Sequence, residues 1–152
     1  MSEKACEVWF YHLERATLEQ VLPELLEKTL ARGWRALVRC VDGPRRAKLD
    51  AWLWTFSDES FLPHGMAGEA AAERQPILLT GGADNLNDAQ VLFVLDEAPD
   101  DVSAYTRCIL VFDGQDDVAL TRARGYWKTF KAVGLDVAYW KQGVTRGWER
   151  QG

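Results

Sequence analysis

Apolar residues in this chain gather into short, mostly continuous runs: Val8–Leu13, Ala36–Val41, Ile77–Thr80, Val91–Leu95, Cys108–Phe112 and Val137–Trp140. Continuous rather than alternating runs of this length predict strands covered on both faces. Between the first two lies ATLEQVLPELLEKTLARG, where Leu18, Val21, Leu22, Leu25 and Thr29 share a helical face. Thr17 and Gln20 have the spacing of a capping box, and Gly33 supplies the end signal. Pro23, which has no backbone N–H to donate, predicts a kink or a late start. Asp42 and Pro44 introduce a helix running to about Trp54, and Asp116 or Asp117 introduces another running to Gly134. Strands alternating with helices predict a single Rossmann-like α/β domain over residues 1–141, its sheet mostly parallel with helices on both faces. Residues 142–152, QGVTRGWERQG, read as a flexible tail.

At 152 residues and 47% hydrophobic content, the chain can bury roughly two thirds of its unfolded surface without staples. Cys6, Cys40 and Cys108 are widely spaced and odd in number, and two lie inside apolar runs. They read as small core hydrophobes of a reducing compartment rather than as disulfide or metal partners. No apolar run approaches the ~18 residues of a membrane span, so the expected location is cytoplasmic, without a membrane partner. A net charge of −5 disfavours a protein whose whole surface embraces nucleic acid, but leaves room for a local basic patch.

The Rossmann-like outline raises the question of an enzyme, and the residues answer against it. The first strand-to-helix turn, YHLERATLEQ, contains no glycine that would let a pyrophosphate approach the backbone. Thr80-Gly81-Gly82 lacks the lysine and hydroxyl of a phosphate loop and reads as a tight turn. His12 reads as a satisfied core histidine and His64 as a hydrogen-bonding loop residue, and neither has metal-ligand spacing. The expectation is no catalytic residue, no cofactor and no metal.

Two stretches remain unexplained by folding alone. In LTRARGYWKTFKAVG, Ala119, Ala123, Tyr126, Phe130 and Val133 recur as a sheet-facing stripe, which leaves Arg124, Trp127, Lys128 and Lys131 together on the outside. Such a stripe can offset the helix dipole, bind an acidic peptide, or stack single-stranded nucleic acid on the indole. Gly125 within it runs against helix propensity by about 1 kcal/mol. The other stretch, LWTFSDESFLPHGMAGE from Leu53 to Glu69, sets Trp54, Phe56 and Phe61 around a polar turn. Helical periodicity turns Leu49, Trp52 and Leu53 inward and Trp54 outward, so Trp54 and Phe61 are the candidates for an apolar surface patch covered by a partner.

LDAWLWTFSDESFLPHGMAGE, with its SFLPH block and following AGE, and the closing R-x-x-W-K-x-x-K helix resemble the chi subunit family of bacterial DNA polymerase III. The likeness runs from VWFYHL to Lys141. It implies a Rossmann-like fold without a nucleotide-binding loop and a non-catalytic accessory subunit of the polymerase holoenzyme in DNA replication. It further implies a heterodimer with the psi subunit of the clamp-loader assembly and an interaction with the acidic C-terminal tail of single-stranded DNA-binding protein, with DNA contacted only indirectly. Carried over by residue, it assigns psi binding to Trp54, Phe61, Pro63 and His64, and acidic-tail binding to Arg124, Trp127, Lys128 and Lys131. Trp127 departs from the family's frequent tyrosine, and Leu120 stands where another lysine can occur. The alternatives are a direct single-stranded nucleic-acid-binding module and, further behind, a small nucleotide-dependent enzyme.

Overall fold

The computed structural model describes residues 6–55, 62–99, 101–142 and 148–151. Strand β1 (Glu7–Leu13) leads through helix α1 (Leu18–Ala31) to β2 (Ala36–Arg39), and helix α2 (Gly43–Thr55) precedes a short β3 (His64–Met66). A single 3₁₀ turn (Ala72–Arg74), β4 (Ile77–Thr80), β5 (Val91–Val94) and β6 (Arg107–Asp113) follow, then helix α3 (Asp117–Ala132), β7 (Asp136–Gln142) and β8 (Trp148–Arg150). Among the described residues the strands form one sheet in the order β3-β4-β2-β5-β6-β1-β7-β8. Neighbours run parallel throughout except β7 and β8, which are antiparallel.

Two apolar layers enclose this sheet. On one face Tyr11, Leu13, Val38, Phe93 and Val111 pack under α1 and α2, through Leu22, Leu26, Leu49 and Leu53. On the other, Val8, Phe10, Leu92, Leu110 and Phe112 pack under α3, through Ala123 and Phe130. This explains the continuous apolar runs: each inner strand must satisfy a core on both sides. Cys6, Cys40 and Cys108 are free and buried in these layers. Burial pushes the Cys6 thiol up to about 12 and the Cys40 thiol up to about 11, so neither presents a thiolate near neutral pH.

The capping box forms as expected, with the Thr17 side chain accepting from Gln20 N and the Gln20 side chain from Thr17 N. Pro23 nevertheless neither delays nor divides α1, which begins at Leu18 and continues to Ala31. Its missing N–H would leave the Glu19 carbonyl without a helical donor. Trp52 of α2 supplies one instead, donating from Nε1 to Glu19 O at 2.7 Å. A defect in one helix thus becomes a specific contact with the next.

Three expectations need correction. The described residues after Lys141 do not stand apart: Gln142 completes β7, and Trp148–Arg150 form β8, with Trp148 packed on the core. Trp148 makes the difference, since its ring lies 4.7 Å from that of Tyr11. His64 sits in strand β3 rather than a loop and is buried. Val133, expected on the sheet-facing stripe, is the residue that caps α3; it has left the helical register and is 68% exposed.

Removing the Trp52 donor tests this account of α1. Trp52→Phe should lower stability by about 1–2 kcal/mol. The loss should shrink in a Pro23→Ala background, where a new N–H can serve Glu19. Urea denaturation of the four proteins closes the cycle, and equal losses in both backgrounds would contradict the exchange of donors.

Candidate functional site

Helix α3 starts where Asp116 accepts hydrogen bonds from Val118 N at 3.0 Å and Ala119 N at 3.3 Å. Its inner face is fixed by buried Ala123 and Phe130 and by half-buried Tyr126, whose hydroxyl accepts from Ala98 N at 3.0 Å. That orientation carries Arg124 and Lys128 to the edge of the helix nearest β7. There, Arg124, Trp127, Lys128, Tyr139 and Gln151 line an open cleft of about 410 Å³. None of these lining residues is acidic, and among the described residues Arg124 and Lys128 make no ion pair.

Trp127 is not simply outside, as the stripe suggested. Its ring packs edge-on against Phe10 at 5.5 Å and Tyr139 at 5.7 Å, half-buried as the apolar wall of the cleft. Lys131 does not line the cleft, but its Nζ lies 5.5 Å from the Trp127 ring centroid, a cation–π distance. Tyr139 and Gln151 were missed. Strand alternation along β7 could have placed Tyr139 beside Val137 on the α3 face, whereas Gln151 gave no signal before β8 was known. Gly125 faces open space, with nothing within 4 Å of a built Cβ, so packing does not explain it.

Behind the cleft lies a polar group at the end of β1. His12 Nδ1 is 2.6 Å from the Tyr139 hydroxyl, and Nε2 is 2.8 Å from Glu14 Oε1. The second contact is electrostatic rather than a well-aligned hydrogen bond, for Nε2 has no geometrically satisfied partner. Glu14 also meets Lys141 Nζ at 3.3 Å and accepts from Gln115 Nε2 at 2.8 Å. Burial lowers the His12 pKa, Glu14 opposes it, and Lys141 and Arg124 lower it further. Burial raises the Tyr139 pKa. Gly114 is required here, because a Cβ on it would sit 1.9 Å from His12 Nε2.

At the turn after β1, where Rossmann-type domains receive phosphate, Gln142 Oε1 accepts from the backbone N–H groups of Glu14, Arg15 and Ala16 at 3.0, 2.8 and 3.0 Å. The chain's own carboxamide occupies the donors a phosphate would use. Thr80-Gly81-Gly82 forms a tight turn, closed by Thr80 Oγ1 accepting from Gly82 N at 3.1 Å. Arg46 packs over Gly81 so closely that a Cβ there would meet its guanidinium at 2.5 Å.

The second candidate patch lies at the other end of the sheet. Trp54 is 52% exposed at the end of α2, and its ring stacks 4.2 Å from that of His64. His64 is held from below: Nδ1 faces Leu62 O at 2.7 Å, and Nε2 faces Asp50 O at 3.1 Å and Asp50 Oδ1 at 3.2 Å. Pro63 is half-buried beside it. Trp54 therefore presents the surface while His64 supports it. Phe56 and Phe61 lie outside the described residues. Patch and cleft are separated by most of the sheet's width, so they are distinct surfaces.

A mostly parallel sheet with helices on both faces, a self-filled phosphate turn and a basic, aromatic-walled cleft together define a Rossmann-like α/β domain. The family described as "DNA polymerase III chi subunit, HolC" matches residues 6–138, and the chain belongs to it. It is 36% identical over 89 residues to the DNA polymerase III subunit chi of Pseudomonas aeruginosa, covering 58% of this chain and 61% of that protein. It is 27% identical over 143 residues to the DNA polymerase III subunit chi of Escherichia coli, covering 87% of this chain and 97% of that protein. The match to the probable subunit chi of Rickettsia prowazekii, 28% over 93 residues, spans 61% of this chain and about half, 55%, of that protein.

The buried histidine gives the fold a pH dependence of predictable sign. The native His12 pKa lies below its ordinary 6.5, so as pH falls through that value the unfolded chain takes up the proton first. The stabilising effect of a neutral His12 is present above that pH and is lost below it. Denaturant titrations from about pH 8 to about pH 5 should show the parent losing stability relative to His12→Gln below the histidine range. A constant difference across the range would contradict it.

Proposed function

We propose that this chain is a non-catalytic accessory subunit of the DNA polymerase III holoenzyme, linking the clamp-loader assembly to single-stranded DNA-binding protein. On this reading the α3 cleft takes the acidic C-terminal tail of single-stranded DNA-binding protein. The observation that carries it is the cleft itself: two cations without an ion pair among the described residues, no acidic residue in its lining, and a half-buried indole on one wall. Such a site suits a ligand with carboxylates for Arg124 and Lys128 and an aromatic group for Trp127. Lys131 reinforces the field from beside the indole. Because the cations are exposed, attraction is screened over ~8 Å at physiological ionic strength, and affinity should be roughly micromolar. The Trp54 patch, propped by His64 and flanked by Pro63, is the proposed dock for the psi subunit, with Phe61 as its expected companion.

A fluorescent acidic, phenylalanine-ended peptide tests the cleft. Arg124→Ala and Lys128→Ala should each weaken binding about tenfold at low salt, less at high salt, while Lys48→Ala on α2 should not. Identical affinities for all proteins would remove α3 from the site.

For the patch, Trp54→Ala should abolish co-purification with a psi-type subunit while leaving the melting temperature nearly unchanged, because the residue is already about half exposed. Retained co-purification would move the interface elsewhere.

A further inference from the structure

The cleft is lined by two polar side chains that the cationic stripe does not explain, Gln151 and Tyr139, and the Tyr139 hydroxyl lies within the field of Arg124. A hydroxyl has a single proton to donate, so what it offers a ligand depends on its other partner. That partner is His12 Nδ1 at 2.6 Å, and the opposite ring nitrogen faces the Glu14 carboxylate at 2.8 Å. An ionised carboxylate can only accept, and its charge beside Nε2 favours a proton over a lone pair there even without a well-aligned hydrogen bond, so a neutral His12 carries its proton on Nε2 and leaves Nδ1 bare. The Tyr139 hydroxyl then donates its hydrogen bond to His12 Nδ1 and shows only lone pairs to the cleft. Once His12 gains a second proton, Nδ1–H donates to the Tyr139 oxygen, and the hydroxyl proton is released to point into the cleft.

Resting on the reading of the cleft as a carboxylate site, we infer that Tyr139 is a fourth binding group and that His12 is its positioning residue, turning the hydroxyl from acceptor to donor as it protonates. Carboxylate binding therefore takes up a proton. The charged and titratable groups around His12 come from each neighbouring element: Glu14 beyond β1, Tyr139 and Lys141 on β7, and Arg124 on α3. From the β6–α3 turn the approach is made by Gly114, and from β6 by the Phe112 ring at 5.2 Å. Burial first, and then Lys141 and Arg124, work against the charged ring, which keeps the neutral, acceptor-facing state dominant near neutral pH; a bound anion offsets Arg124 and favours the donor state. By linkage, whatever protonation adds to carboxylate affinity, the carboxylate adds to proton affinity. The chain has two histidines, and the other, His64, sits on β3 at the far edge of the sheet.

The probe is a labelled acidic, phenylalanine-ended peptide with a free terminal carboxylate, titrated from about pH 8 to about pH 5.5 into the parent, Tyr139→Phe and Arg124→Ala. Binding to the parent should tighten roughly tenfold to a hundredfold as pH falls, the range expected of one hydrogen bond to a charged group. Tyr139→Phe, which keeps the ring and removes only the hydroxyl, should lose most of that slope. Calorimetry in buffers of different ionisation enthalpy should show proton uptake for the parent and little for Tyr139→Phe. A flat parent profile, or an undiminished slope and proton uptake in Tyr139→Phe, overturns the relay even if Arg124→Ala weakens binding. If instead Arg124→Ala binds like the parent, the cleft reading itself fails, and the relay with it.

Discussion

The structure depends on β1 being paired on both sides, with β6 and β7, along nearly its whole length. A strand in that position has no edge and no solvent face, so successive side chains must each join a core. Tyr11 and Leu13 go to the layer under α1 and α2, and Val8 and Phe10 to the layer under α3. Phe10 is also the ring against which Trp127 packs, so the wall of the cleft rests on the central strand. The position of the cleft is thus a consequence of sheet pairing rather than of α3 alone.

The carboxyl end of the same strand explains both what is filled and what is open. The turn after β1 exposes consecutive backbone N–H groups, which need acceptors once water is excluded. Gln142, brought alongside by the parallel β1–β7 pairing, satisfies three of them with one oxygen. One step back along β1, His12 lies opposite Lys141 in the same pairing and reaches Tyr139 and Glu14. The donors that a nucleotide would use are occupied from within, while Arg124 and Lys128 of α3 line a cleft that has no acidic residue in its lining.

A comparable exchange holds α1 to α2. A proline inside a helix frees a carbonyl, and a freed carbonyl in a partly buried place needs a donor. Trp52 meets that need, which fixes the rotation of α2 and leaves its neighbour Trp54 facing outward over His64. The exposed tryptophan is the counterpart of the tethered one.

Much of this was legible in the sequence because it is local. The strand runs, the Thr17–Gln20 box, the Asp116 start of α3 and the shared stripe of Arg124 and Lys128 follow from periodicity and from backbone groups that nearby side chains can satisfy. The family resemblance was carried by local blocks for the same reason. What local pattern could not reach were contacts closed by long-range pairing. Tyr139 joins Arg124 only because β7 lies beside β1 beneath α3; Gln142 fills the phosphate turn from more than a hundred residues away; and β8 becomes a strand because Trp148 finds Tyr11. The sequence by itself determined six of the strands, the three helices and the exposed cations, but neither β3 nor β8. The tertiary structure alone decided which of them meet, because hydrogen bonds and ring contacts between distant segments exist only after the sheet has set their register.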